Sequence, residues 1–85
     1  MKKNDINQYN NKVQPHGYWE IYHSNGKLWY KGYYKDGKRD GYWEWYQGNG
    51  KLWYKGYYKD GKQDGYWEYY DYNYGELEEI YYYIN

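Results

Sequence analysis

Few residues of this chain could catalyse a reaction, and their spacing does not bring them together. His16 follows Pro15 in a polar stretch, and His23 lies just before an Asn-Gly pair. Neither histidine has a serine or a second histidine at a useful spacing for general acid–base chemistry, and the chain contains no cysteine nucleophile. The sequence therefore predicts a protein that is not an enzyme, with no catalytic residue.

A metal or phosphate site is not predicted either. Asp36, Lys38 and Asp40 resemble the start of a calcium-binding loop, but Lys38 occupies a ligand position and no glutamate stands at the twelfth position. A hairpin turn explains this stretch better. The glycine-containing turns are isolated dipeptides rather than phosphate-binding loops, so no cofactor is predicted.

The segment WYKGYYK occurs at residues 29–35 and 53–59, and it interleaves aromatic with basic residues. Such interleaving is found in proteins that bind single-stranded nucleic acid. The chain nevertheless has 12 Lys and Arg against 12 Asp and Glu, and residues 65–85 contain five acidic residues and no base. A nucleic-acid partner is not predicted because the basic excess that phosphate binding needs is absent.

Two copies of one 24-residue repeat, residues 17–40 and 41–64, make up the centre of the chain. Within each copy, apolar and polar residues alternate with period two between Asn-Gly and Asp-Gly pairs, which is typical of β-hairpins. The predicted fold is all-β, a single-layer twisted antiparallel meander of successive β-hairpins built from 24-residue repeats. The copies differ only at Ile21/Trp45, His23/Gln47, Ser24/Gly48 and Arg39/Gln63.

The charged residues suggest how the strands pair. A two-residue loop at Asn25-Gly26 places Glu20 opposite Lys31. At Asp36-Gly37 a two-residue loop would oppose Lys35 to Lys38, so a four-residue loop, residues 36–39, is predicted. The resulting register forms one row whose charge alternates from strand to strand and which penalises slipped pairings. The row consists of Glu20, Lys31, Glu44, Lys55 and Glu68.

The same register predicts a second, uncharged face on which aromatic rings lie over glycines. One row of this face reads Trp19, Gly32, Trp43, Gly56, Trp67. A second row reads Gly17, Tyr34, Gly41, Tyr58, Gly65, and Ile21, Tyr30, Trp45, Tyr54 and Tyr69 lie between the two.

The ends of the chain depart from the repeat. Residues 1–16 are polar and are predicted to be a flexible N-terminal tail, followed by a repeat domain, residues 17–85, whose last copy, 65–85, is a divergent cap. An unshifted register would oppose Glu68 to Glu79 there, so we expect the pairing to shift. The segment GELEEIYYYIN is expected to be a strand rather than a short helix. Because no secretion signal and no membrane span is recognised, a cytoplasmic location is expected.

The pattern Gly-x-Trp-x-x-Tyr-x-x-Asn-Gly-Lys-Leu, followed by Gly-x-Tyr-x-Asp-Gly-Lys-x-Asp-Gly, resembles the MORN repeat. The similarity spans residues 17 to about 70 and is greatest to the bacterial variant found in small antitoxin-like proteins. It implies an elongated sheet of hairpins with a shallow aromatic groove that binds or scaffolds other molecules without catalysis. Protein contacts, membrane association and toxin neutralisation are the roles linked to the family.

The uncharged face carries the main functional prediction. It would cover on the order of 600 Å², about the largest apolar patch that a monomer usually exposes. Either the protein covers the face itself, by a homodimer, by residues 80–84 or by sheet curvature, or a partner protein binds there. We predict a non-catalytic protein-interaction module, antitoxin-like in its most concrete form. The predicted partner-binding residues are Trp19, Tyr30, Trp43, Trp45, Tyr54 and Trp67.

A carbohydrate- or choline-binding function is the alternative. Tyr- and Trp-rich hairpin repeats also resemble cell-wall-binding modules, in which rings stack on sugars or surround a quaternary ammonium group. Binding to a membrane surface is a weaker alternative because the total charge is zero.

Overall fold

The structure of the protein is a computed structural model that describes residues 6–84. These residues form one antiparallel sheet in which successive strands are neighbours, and β4 pairs only with β3. No helix occurs among the described residues, so the predicted all-β meander is confirmed. Its strands are β1 (Gln8–Tyr9), β2 (Pro15–Tyr22), β3 (Leu28–Lys35), β4 (Lys38–Arg39), β5 (Gly41–Tyr46), β6 (Leu52–Lys59), β7 (Lys62–Tyr70) and β8 (Leu77–Tyr83).

Away from the turns, the strands pair in the predicted register. Glu20 pairs with Lys31, Lys31 with Glu44, and the same pattern continues through Lys55 to Glu68. The alternating row of charges is thus present across five neighbouring strands. Because side chains alternate between the two sides of a strand, this register also fixes which residues share the opposite face.

The Asn-Gly turns are longer than predicted. The amide of His23 donates to the Lys27 carbonyl at 2.8 Å, and the amide of Gly26 donates to the His23 carbonyl at 2.9 Å, leaving three residues in the loop. Gly26 has a φ of 87°. A type I turn followed by a left-handed glycine forms a bulge that matches the twist of the strands, so the predicted two-residue loop is wrong.

At Asp36-Gly37 the predicted four-residue loop is also wrong. Asp36 and Gly37 have φ values of 49° and 85°, as a two-residue type I′ turn requires, and Lys35 pairs with Lys38. Both lysines are exposed, so water screens their repulsion and the local preference of Asp-Gly for this turn prevails.

A bulge restores the predicted register beyond this turn. Tyr34 pairs with Arg39 rather than with Gly41, and in the second repeat Tyr58 pairs with Gln63 rather than with Gly65. The glycines lie in the bulges, where φ is 92° for Gly41 and 75° for Gly65. The second predicted row is therefore wrong at these two steps, and Arg39 enters a face that was predicted to be uncharged.

Part of the segment that was predicted to be a tail lies against the sheet. Strand β2 begins at Pro15, and Gln8 pairs with His16. Two hydrogen bonds join the Asn7 side chain to the backbone of Glu20, one accepted by Asn7 Oδ1 at 2.8 Å and one donated by Nδ2 at 2.9 Å. These contacts extend the sheet before Gly17; residues 1–5 lie outside the described part.

The C-terminal segment is a strand and its pairing shifts, as predicted; the shift amounts to one residue. Glu68 pairs with Ile80 and Tyr69 with Glu79, so the two glutamates are not opposed.

Three tryptophans form the core, although the sheet is only one layer. Trp43 and Trp67 are completely buried, and Trp45 is 8% exposed. The indole of Trp43 covers Gly32 and that of Trp67 covers Gly56 so closely that a Cβ atom on either glycine would lie 2.0 Å and 2.1 Å from the ring, respectively. The predicted placement of rings over glycines is confirmed at these two positions.

Candidate functional site

The residues that were predicted to bind a partner lie on one side of the sheet, which we call the tryptophan face. They come together there, but mainly as a core. Trp43 and Trp67 have no exposed surface, and Tyr30 and Tyr54 pack against them. A partner could not touch the two tryptophans unless the surrounding rings moved. Partner binding by the predicted set, Trp19, Tyr30, Trp43, Trp45, Tyr54 and Trp67, stays a prediction.

Arg39 packs over the rings of the tryptophan face, where the sequence predicted no charged residue. Its guanidinium carbon lies 5.1 Å from the Trp43 ring centroid and 5.5 Å from both the Trp45 and Tyr58 centroids. These distances are typical of cation–π contacts. Gln63, the equivalent residue of the second repeat, instead donates to the Tyr69 hydroxyl at 3.1 Å. One of the four differences between the copies thus has a structural role.

Three tyrosine pairs are arranged periodically on the opposite side, which we call the tyrosine face. Tyr18 and Tyr33 have ring centroids 5.2 Å apart, and the centroids of the next two pairs are both 5.3 Å apart. Equivalent pairs are two strands apart, which corresponds to a spacing of about 10 Å. The tyrosine face consists of Tyr18, Tyr33, Tyr42, Tyr57, Tyr66 and Tyr82 together with Glu20, Lys31, Glu44, Lys55 and Glu68.

Each glutamate of this face accepts hydrogen bonds from two tyrosine hydroxyls. Glu68 accepts them from Tyr66 and Tyr70, both at 2.6 Å. These bonds stabilise the charged carboxylate and lower its pKa, with the Tyr66 bond contributing most. Conversely, the negative charge raises the pKa of Tyr66 and of Tyr70 to about 12, mainly through the same hydrogen bonds.

The central glutamate, Glu44, shows competing effects. Burial tends to raise its pKa, but hydrogen bonds from Tyr42 at 2.6 Å and Tyr46 at 2.7 Å, with Lys31 3.3 Å away, lower it overall. Lys55 is likewise 3.3 Å from Glu68. The charges of the tyrosine face are therefore largely compensated within the face, and the exposed rings dominate what a partner would meet.

Two open clefts lie between the tyrosine pairs. The first has a volume of about 380 Å³ and is walled by Tyr18, Tyr33 and Tyr42, with Glu20, Lys31, Gly32 and Glu44 beneath. The second has a volume of about 270 Å³, and each of its lining residues stands 24 positions after a residue of the first cleft: Tyr42, Tyr57, Tyr66, Lys55, Gly56 and Glu68. The sequence repeat thus produces a repeated surface feature.

In each tyrosine pair, one ring is half-buried and the other is exposed. Tyr33, Tyr57 and Tyr82 are 49%, 48% and 72% exposed, respectively. The other face was predicted to bind the partner because its three predicted rows contain no charged residue. A different signal could have indicated the tyrosine face, namely the motif Tyr-x-Glu-x-Tyr at residues 18–22, 42–46 and 66–70.

The two histidines have structural contacts. His16 Nδ1 accepts a hydrogen bond from the Asp36 amide at 3.1 Å, and His23 Nε2 lies 3.1 Å from the Tyr46 carbonyl oxygen. Within residues 6–84 no three His, Cys, Asp or Glu side chains are grouped so that they could hold a metal ion. The described part of the chain also has no helix that is long and apolar enough to span a membrane.

Comparison with known families agrees with this architecture. A model described as a MORN repeat variant matches residues 15–36 and 39–60. No curated protein and no solved structure matches the chain. MORN repeats generally serve as non-catalytic modules that interact with proteins or membranes. Two adjacent repeats that cover half of the sequence, folded as consecutive hairpins, show that this chain belongs to the MORN repeat variant family.

Proposed function

We propose that the protein is a non-catalytic protein-interaction module and that the tyrosine face is its binding surface. The observation that carries this proposal is the row of exposed rings formed by Tyr33, Tyr57 and Tyr82 above carboxylates and ammonium groups that are already paired. Such a surface offers a partner large apolar contacts without requiring it to neutralise an isolated charge.

Tyrosine suits this role energetically. Its ring is large and has few rotatable bonds, so it gains contact area while losing little conformational entropy, and tyrosine is enriched among the residues that dominate binding energy. The hydroxyls of Tyr33 and Tyr57 form no hydrogen bond with the residues that the structure describes. They can therefore contribute hydrogen bonds to a partner as well as apolar contact.

Neutralisation of a toxin in the cytoplasm is the most concrete form of this proposal. It is supported by the resemblance of the repeats to those of small antitoxin-like proteins. A neutralising protein needs a surface that covers a site on the toxin and no chemistry of its own. The repetitive tyrosine face, with its exposed rings, meets that requirement.

The test is partner capture followed by affinity measurement. The wild-type protein captures partners from host lysate, and a captured protein is identified by mass spectrometry and purified. Truncation of two central rings in the variant Tyr33→Ala/Tyr57→Ala should weaken its binding about tenfold or more. Tyr74→Ala is the control, because Tyr74 is 77% exposed but lies in the turn before β8. Equal affinity for all three proteins would refute the proposal.

Carbohydrate or choline binding remains a second candidate because the two clefts have tyrosine walls and a carboxylate beneath them. Gly32 lies in the first cleft and Gly56 in the second, so their amide signals in an NMR titration report on each cleft separately. Saturable shifts at both glycines on adding choline or cell-wall glycans would favour this function. Absence of shifts with all these ligands would exclude it.

A further inference from the structure

We propose that the outer edge of β8 binds an extended, basic segment of the partner protein, which adds to the sheet as a further strand. This inference rests on the proposed protein-binding function and specifies a second part of the same interface. Tyr82 links the two parts, because it belongs to both the tyrosine face and β8. Three features of the sheet support the proposal: the difference between its two edges, the exposure of β8, and its charge.

The N-terminal edge is closed by the chain itself. The Asn7 side chain bonds both the amide and the carbonyl of Glu20, so it occupies the place of a neighbouring strand. The Asn7 amide also donates to the Tyr18 carbonyl at 2.9 Å, and the Trp19 indole donates to the Gln8 carbonyl at 3.1 Å. The strand outside β2 is only two residues long. Short, covered edges of this kind do not readily accept another strand.

The C-terminal edge is open over a much longer distance. β8 is seven residues long and is the last strand of the sheet, so within residues 6–84 no strand pairs with its outer side. Six of its seven residues are exposed, including Ile80 at 47% and Tyr82 at 72%. A strand in this position presents unpaired backbone amides and carbonyls, which is the feature used by proteins that bind peptides through strand addition.

The charge of β8 indicates which kind of strand it would accept. β8 takes the place that β3 and β6 have in the preceding repeats. Where β6 has Trp53, Tyr54 and Lys55, β8 has Glu78, Glu79 and Ile80. The terminal strand has thus lost the cation of its counterpart and gained two anions. Residues 65–85 contain no base that could compensate them.

Within the sheet itself, strands with glutamate have neighbours with lysine. Lys55 of β6 lies between Glu44 and Glu68 of the adjacent strands. By the same rule, a basic strand would be the favourable neighbour of the acidic β8. A second copy of this chain would bring an equally acidic strand to the edge, and like charges disfavour that association. A lysine-containing partner segment is therefore the occupant that the charges favour.

The experiment uses a synthetic peptide with the sequence of residues 51–59, KLWYKGYYK, because a strand of this sequence pairs with glutamate-containing strands in the sheet. Fluorescence anisotropy of the labelled peptide is measured against the 85-residue protein. We expect saturable binding with one peptide per chain, which weakens as salt is added. Absence of binding would overturn the proposal.

The variant Glu78→Lys tests the site. The Glu78 side chain is exposed and forms no hydrogen bond or ion pair with the described residues, so the fold should be retained, which circular dichroism checks. Replacing an attraction by a repulsion should weaken peptide binding about three- to thirtyfold. The control Asp40→Lys changes the net charge equally but lies directly before β5, which is three strands away from β8, and it should bind the peptide nearly as well as the wild type. Equal weakening by both variants would contradict a site at β8.

Strand addition is distinguished from general charge attraction by N-methylation. An added strand uses the amides of only one of its edges. Two peptides are therefore compared, one methylated on the amides of even-numbered residues and one on those of odd-numbered residues. Binding by only one of them supports the proposal, and equal binding by both overturns it.

Two further results separate the possible occupants and the two proposals. If light scattering shows a dimer that excludes the peptide, a second copy occupies the edge and this inference fails. The variant Tyr33→Ala/Tyr57→Ala should still bind the peptide, because both rings lie away from β8. If that variant loses partner binding and the wild type does not bind the peptide, the proposed function stands and only the β8 site is rejected.

Discussion

The substitution Gly32→Ala tests how the single-layer sheet forms a core. A Cβ atom at this position would lie 2.0 Å from Cδ2 of Trp43. Carbon atoms in favourable contact are about 3.5–4.0 Å apart, so the indole would have to move by about 1.5–2 Å. Trp43 has no exposed surface, and its ring lies 4.9 Å from the Tyr34 ring and 5.5 Å from the Trp45 ring. The displaced ring therefore has no free space to enter.

The expected cost combines three contributions. Overpacking a core typically costs about 1–3 kcal/mol. Moving the ring also breaks the hydrogen bond of 3.0 Å from Trp43 Nε1 to the Tyr33 carbonyl, and an unsatisfied buried donor costs about 1–3 kcal/mol. Alanine is favoured over glycine in a strand by about 0.5–1 kcal/mol, which offsets part of the loss. We expect Gly32→Ala to lower the free energy of unfolding by about 2–4 kcal/mol.

Urea unfolding followed by tryptophan fluorescence measures this effect, and the midpoint should fall by about 2 M. Gly48→Ala is the matched control. A Cβ atom on Gly48 would meet no atom within 4 Å, and this glycine does not have a positive φ, so its replacement should change the free energy of unfolding by less than about 0.5 kcal/mol.

Two results would refute the reasoning. One is a Gly32→Ala protein as stable as the Gly48→Ala control. The other comes from a double-mutant cycle: if Trp43 is first replaced by alanine, the indole is gone and Gly32→Ala should cost much less. An unchanged cost in that background would mean that contact with Trp43 is not the cause.

Two further predictions concern electrostatics. Arg39→Gln removes the cation–π contacts of the first repeat and should lower the free energy of unfolding by about 1 kcal/mol, measured by urea unfolding. The reverse exchange in the second repeat, Gln63→Arg, tests in the same assay whether the rings of that repeat accept a cation. Because hydrogen bonds lower the pKa of Glu68 in the folded protein, the stability it contributes is complete above its unfolded pKa and is lost as the pH falls through the folded value. Tyr66→Phe/Tyr70→Phe should raise the pKa of Glu68 in an NMR titration and reduce this loss in acid; an unchanged pKa would contradict the assigned cause.

The register could be predicted from the sequence because two independent patterns agree. The turn dipeptides define where the chain reverses, and the alternation of Glu20, Lys31 and Glu44 penalises pairings shifted by one or two residues. Repulsion between like charges also explains the shift at the C-terminus, where Glu68 pairs with Ile80 rather than with Glu79. Turn lengths were less predictable because they depend on local φ preferences, which outweighed the exposed repulsion between Lys35 and Lys38.

The candidate site was harder to predict because both faces of the sheet carry aromatic residues. The absence of charge in the predicted rows favoured the face with Trp43 and Trp67, yet these side chains are buried by their neighbours. Arg39 joined that face only because a bulge shifts the strand after the Asp-Gly turn. The row of exposed rings on the tyrosine face could be recognised only from the hydroxyl–carboxylate hydrogen bonds. In each tyrosine pair these bonds hold one ring against the sheet, and the other ring stays exposed.

The sequence by itself determined the hairpins of the two repeats, their order and the register of the charged row, because strand periodicity and turn chemistry are local properties of the chain. Only the tertiary structure decided which face buries its rings as a core and which face leaves rings exposed to a partner. That outcome depends on how far each ring reaches across neighbouring strands and whether its polar end finds a partner. These are distances between residues far apart in the sequence, such as Trp43 over Gly32 or Asn7 against Glu20, and the packing of the whole sheet sets them.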